Sequence, residues 1–88
     1  MELSRGQIVK SLSGRDKDRY FVVLAVQEEF VWLADGKMRK LEHPKCKKTK
    51  HIQITKTVVP IDPNPTDKQL RKLLHDYNYP EQPAVTRR

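Results

Sequence analysis

The chain has 88 residues, 33 % of them charged, with 18 Lys and Arg against 11 Asp and Glu, a formal net charge of +7. A domain of that size buries only about 60–70 % of its unfolded surface, which argues against a deep, elaborate active site. The lone cysteine, Cys46, excludes a disulfide within the chain and favours a reducing compartment. The first residues, MELSRGQIVK, hold no apolar signal core, and no window approaches the roughly 18 apolar residues of a membrane span. The expectation is a soluble cytoplasmic protein, monomeric when free, with no membrane partner. The excess positive charge points to a polyanion, and to nucleic acid first. Phosphates reward clustered Lys and Arg by releasing counterions, whereas an anionic membrane usually wants an amphipathic helix as well.

In chain order, Gly6 to Leu12 reads as a short strand with Ile8, Val9 and Leu12 as its apolar residues. The stretch SGRDKD, 13–18, breaks it as a turn: glycine accepts positive φ, and aspartate bonds back to nearby backbone. Tyr20 to Val26, YFVVLAV, is apolar without interruption, as expected of a strand covered on both faces or of a strand in a small barrel. In FVWLADGKMRKL, Asp35-Gly36 matches a preferred two-residue hairpin loop. That register pairs Ala34 with Lys37, Leu33 with Met38, Trp32 with Arg39 and Val31 with Lys40. Leu33, Met38 and Val31 would point inward, and Arg39 would lie on the Trp32 indole. HIQITKTVV supplies a last strand with Ile52, Ile54 and Lys56 on one face.

Pro60, Pro63 and Pro65 end the sheet and begin an extended connector. Thr66 stands three residues before Gln69 as in a capping box, and Leu70, Leu73, Leu74 and Tyr77 fall on one helical face. The end, YPEQPAVTRR, has no apolar period and is expected to be loose. The expected architecture is mainly β, a small five-stranded barrel with one C-terminal amphipathic α-helix packed on it. The barrel spans 1–59, the connector and helix 60–79, and the flexible tail 80–88.

The basic residues between positions 37 and 56 are Lys37, Arg39, Lys40, Lys45, Lys47, Lys48, Lys50 and Lys56, against the single acid Glu42. This segment alone carries a charge equal to that of the whole chain. Arg15, Lys17 and Arg19 lie in or beside the first turn, and in a small barrel the first turn and a later loop can share one end. The expected surface is a rim of Arg and Lys, with Tyr20, Phe30 or Trp32 available for stacking.

GQIVKSLSGRDKDRYFVVLAV resembles a KOW motif: a strand, a turn with a glycine (Gly14) and charged residues, then a strongly apolar strand. Together with VWLADGKMRKLEHPKCKKTKHIQ, the chain resembles the archaeal and eukaryotic large-subunit ribosomal protein fourteen family and its short bacterial KOW relatives, from about Gly6 to Asn78. The resemblance implies an SH3-like barrel whose KOW loop and basic rim contact ribosomal RNA. At matching positions it implies RNA-facing roles for Ser13, Gly14, Arg15 and Lys17 in the turn, and for Lys37, Arg39 and Lys40 after the hairpin. Lys45, Lys47, Lys48, Lys50 and His51 extend that surface, with Arg19 at its edge. Asp18 stands where many KOW motifs have a second glycine, a departure expected to alter the turn. Arg15 and Lys17 are expected to face phosphate, while Asp16 and Asp18 fix the loop locally.

Catalytic chemistry is not expected. His43, Cys46 and His51 are close in sequence, but zinc wants four ligands at characteristic spacing, and the neighbouring lysines repel a cation. Cys46 reads as an incidental exposed thiol and His75 as a surface residue. Asp62, Asp67 and Asp76 read as turn, helix-start and helix-end residues. No phosphate-cradling glycine loop, paired acids or nucleophile with a base is present. The function expected is non-catalytic binding of structured RNA, most simply large-subunit ribosomal RNA with neighbouring ribosomal proteins, and without a cofactor. The rival readings are a KOW or SH3-like protein-interaction adaptor, which would leave the helix face at Leu70, Leu73, Leu74 and Tyr77 partly exposed, and a non-specific single-strand DNA binder.

Overall fold

A computed structural model describes residues 3–80; Pro80 apart, the expected loose tail from position 80 lies outside the described residues. Five strands form one antiparallel sheet: β1 (Gln7–Ser11), β2 (Tyr20–Gln27), β3 (Phe30–Ala34), β4 (Lys45–Lys48) and β5 (Ile52–Val58). Their order is β4-β3-β2-β1-β5, and a single 3₁₀ turn, Thr49–His51, carries the chain from one outer strand to the other. The outer strands are not bonded to each other, so the sheet is barrel-like but not closed. Two irregularities aid its curl, one between Gln7 and Val9 against β5 and one between Val23 and Ala25 against β3. An extra residue on one strand bends it and increases local twist.

Inside the curl, Val9, Phe21, Val23, Val31, Leu33 and Ile52 make one core, to which β1, β2, β3 and β5 all contribute. On the outer face Ile8, Val22 and Ala34 receive Leu70 and Leu74 from the helix α1 (Asp67–Asn78). The two layers explain the first half of the apolar run of β2, since Phe21, Val22 and Val23 alternate between them, whereas Ala25 and Val26, expected to be covered as well, are exposed. The capping box forms as expected: Gln69 N–H donates to Thr66 Oγ1 at 3.1 Å and Thr66 N–H to Gln69 Oε1 at 3.0 Å. Tyr77 hydroxyl donates to Thr57 Oγ1 at 2.9 Å and its ring lies 5.1 Å from that of Tyr20, which ties the helix end to the sheet. With Leu70 0 % and Leu74 1 % exposed, these two leucines face the sheet and not solvent. No described helix is long and apolar enough to cross a membrane.

The expected hairpin at Asp35-Gly36 does not form. Residues 37–41 are not a strand, and β3 pairs instead with β4, placing Val31 opposite Lys47, Trp32 opposite Cys46 and Leu33 opposite Lys45. The tight two-residue connection lies earlier, at Glu28-Glu29, where Gln27 pairs with Phe30 and Glu28 takes φ 56°. The physical reason is the Asp35 carboxylate. Its Oδ1 accepts the amides of Lys37 at 3.1 Å and Arg39 at 2.7 Å, so the chain coils around the side chain and is not free to ladder back along β3. Gly36 lies against the helix. Its φ is +80°, and a side chain there would strike the backbone of Asp67 at the head of the helix. Met38, expected inside, is consequently 65 % exposed, and Arg39 does not meet Trp32.

Candidate nucleic-acid interface

The first turn is built by its own acids. Ser11, fully buried, donates its hydroxyl to Asp16 Oδ1 at 2.7 Å, and Lys17 N–H donates to Gly14 carbonyl at 3.2 Å across the left-handed Gly14. Asp16 fixes the loop as expected, whereas Asp18 contributes through its backbone: its N–H donates to Ser11 carbonyl at 2.8 Å, and its carboxylate lies 3.7 Å from Lys10 Nζ. The Asp18 backbone takes φ 72°, the left-handed region glycine favours, so an aspartate occupies the glycine-like conformation.

Lys47 closes the same turn. Its amine donates to Ser13 carbonyl at 3.0 Å and sits 3.5 Å from Asp16 Oδ1, with only 9 % of the side chain exposed. A lysine expected to reach RNA is instead a strut between β4 and the turn. Alternation along β4 sends Lys45 to the side of Lys47 and Lys48 to the side of Cys46. The basic run is therefore divided between two faces. Lys48 and Lys50 are exposed, and His51 is half-buried in the 3₁₀ turn with its carbonyl accepting the Leu12 amide at 2.9 Å.

What the fold brings together is a groove of about 780 Å³ lined by Arg15, Lys17 and Arg19 from the turn, Arg39 after β3, Lys45 from β4 and Asn78 at the end of α1, with Asp16 and Asp18 beside them. Arg15 and Lys17 are exposed there, whereas Ser13 and Gly14 of the same turn do not line the groove. Arg19 has a second task. Its Nε donates to Asp35 Oδ2 at 2.5 Å, with the Asp35 side chain fully buried and that of Arg19 20 % exposed. Burial works against the Arg19 charge, but hydrogen bonds to Asp35 and Tyr79 outweigh it and raise the pKa above the ordinary arginine value. This pair fixes the relation of the first turn to the 35–39 coil, which sets the groove's shape.

On the other side of Arg19 and Asn78 lies a cleft of about 870 Å³ between the 36–40 segment and the helix. Lys37 and Lys40 line it, and the helix adds Lys68, Arg71, Lys72 and His75, none of them among the residues expected on the rim. The signal is their spacing of three and four residues, which gathers them on one flank of the helix beside the leucine stripe, with Leu74 lining the same cleft. Tyr79, assigned to the loose end, caps the helix with its N–H on His75 carbonyl at 2.8 Å. Lys37 Nζ donates to its hydroxyl at 2.5 Å, and Arg19 approaches its ring at 6.0 Å. The Lys37 hydrogen bond, then Arg19, lowers the Tyr79 pKa below the ordinary tyrosine value. Of the expected stacking residues, Tyr20 packs on Tyr77, while Phe30 and Trp32 are half-buried on β3 and absent from both grooves.

His75 is half-buried rather than a plain surface residue, with its ring 5.3 Å from that of Tyr79 and Nδ1 3.5 Å from Asp76. Cys46 is exposed. Among the described residues no group of three His, Cys, Asp or Glu side chains comes together as a metal site would require. No protein-family model and no curated protein matches the chain.

Proposed function

We propose that the chain is a non-catalytic RNA-binding module that docks its basic rim on structured RNA, most simply ribosomal RNA of the large subunit, as a constituent or an associated factor. One observation carries the reading: Arg15 and Lys17, Arg39, and Lys45 come from three separate parts of the chain and line a single groove. Arginine and lysine at these positions suit the phosphate backbone, the arginines by paired hydrogen bonds and the lysines as mobile point charges. The turn is braced from within by Ser11, Asp16 and Lys47, so its exposed cations are presented without the entropic cost of ordering a loose loop. The KOW resemblance of residues 6–26 supports the same reading. Of the helix face that the adaptor alternative would leave partly exposed, Leu70 and Leu74 are covered, while Leu73 and Tyr77 are half-buried and pack against the same outer core.

The test is sedimentation of tagged protein from lysate on a sucrose gradient at low and high salt, with crosslinked RNA sequenced. Co-migration with the large subunit at low salt and crosslinks at one ribosomal RNA site are expected. Protein that stays at the top of the gradient at low salt would overturn the ribosomal reading.

A further inference from the structure

The cleft beside α1 is more strongly cationic than the groove on which the RNA reading rests. Six of its lining residues, Arg19, Lys37, Lys40, Lys68, Arg71 and Lys72, carry positive charge against one acid, Asp35. That acid is buried and already held by Arg19. The turn groove sets five cations against two acids. The Asp67 carboxylate, at the head of the helix, accepts the Leu41 amide at 2.8 Å and does not line the cleft.

Nor is the cleft a chance gathering of mobile side chains. Arg71 Nη1 donates to Gly36 carbonyl at 2.8 Å, and the helix approaches Gly36 too closely for any side chain at that position. One wall is therefore fixed to the other. Lys40, Lys68 and Lys72 are exposed along it. The cleft and the groove share Arg19 and Asn78.

We propose, on the reading that the chain binds RNA, that the face of α1 bearing Lys68, Arg71 and Lys72 forms with Lys37 and Lys40 a second phosphate-binding track, continuous with the turn groove across Arg19. One RNA backbone passes from the first turn over Arg19 and Asn78 and along the helix. The helix thus has two functions set by one sequence pattern: its leucines hold it on the sheet while its lysines meet the ligand. The partner this fits is a folded RNA that offers phosphates along both tracks, with the contacts indifferent to base identity.

The experiment is lysine footprinting of the full chain by acetylation and mass spectrometry, with and without a mixed-sequence RNA stem-loop. Loss of most acetylation at Lys68 and Lys72, together with Lys17, is expected on adding the RNA. Protection of Lys17 with Lys68 and Lys72 still fully modified would overturn the second track and leave the turn groove standing. If none of the three is protected, the RNA reading itself fails. Binding of the same stem-loop by Lys68→Gln/Lys72→Gln gives an independent measure: the slope of log affinity against log salt should flatten by about 1 per lysine removed. An unchanged slope would count against the track. Both lysines are exposed, and unaltered thermal unfolding of the variant would establish that the fold is retained.

Discussion

The segment from Lys37 to Lys56 and the helix from Asp67 to Asn78 differ in a way that linear charge conceals. The first has eight basic residues against one acid, while the second, DKQLRKLLHDYN, is close to balanced. In the folded chain the first is partly consumed internally and divided between faces: Lys47 braces the turn, and Lys48 lies across the strand from Lys45. The helix, by contrast, turns Asp67 to the Leu41 amide and presents Lys68 and Lys72 to the cleft. Net charge along a chain therefore does not tell which cations share a surface: Lys37 and Lys40 of the first region meet Lys68, Arg71 and Lys72 of the second in one cleft. What decides is which cations remain without an internal partner and which face they share.

The most destructive way to disturb both regions at once is to remove the group between them. Asp35→Ala should cost about 3–5 kcal/mol in denaturant unfolding, because it strands Arg19 and releases the Lys37 and Arg39 amides. A loss below about 1 kcal/mol would mean that the buried pair does not organise the loop. Within the basic run, Lys47→Met should lose about 1–3 kcal/mol, since the Asp16 carboxylate and the Ser13 carbonyl would lose a buried donor. Lys48→Met should stay within about 0.5 kcal/mol. Equal effects of the two would erase the division of the run between structure and surface.

A smaller effect sharpens the junction of the two regions. Because Lys37 favours the ionised phenol, the ring-carbon signal of Tyr79 in carbon NMR should titrate at higher pH in Lys37→Met than in the parent chain. The folded pKa is depressed, so stability from this contact is fully present only above the unfolded tyrosine pKa. It is lost as pH falls through the lowered value, which leaves no contribution from the ionised phenol at neutral pH. An unchanged midpoint would remove Lys37 from Tyr79. The smallest change expected is a gain: Asp18→Gly relieves left-handed backbone and should add up to about 1 kcal/mol, less the exposed contact to Lys10. A loss of stability would show that the Asp18 side chain holds the turn.

Much of the scaffold was legible. Tyr20 to Val26 gave away a strand, buried on both faces at Phe21 to Val23 but exposed at Ala25 and Val26, the three prolines marked the end of the sheet, and Thr66 with Gln69 marked the start of the helix. Five strands were expected and five are present, but the fourth was misplaced. Asp35-Gly36 carries hairpin chemistry only when its side chain is free. Here the carboxylate serves Arg19, sixteen positions upstream, and the glycine makes room for Asp67, far downstream. Neither constraint is local, so no turn rule could contain it. The turn cations Arg15 and Lys17, expected to face phosphate, are exposed. Lys47 was not distinguishable from its neighbours, because its burial depends on a pairing register that the misplaced hairpin had already shifted. Tyr79 was hidden by the prolines that follow it.

The central claim, that the groove between the first turn and the 39–45 segment holds RNA phosphates, is tested most directly by the salt dependence of stem-loop RNA affinity in the parent chain and in Arg15→Gln/Lys17→Gln. These two side chains are exposed, and neither braces the turn. The expected result is tight binding at low salt that falls steeply as salt rises, with the slope of log affinity against log salt flattened by about 2 in the variant. Identical slopes for the two proteins, with folding unaltered, would contradict it.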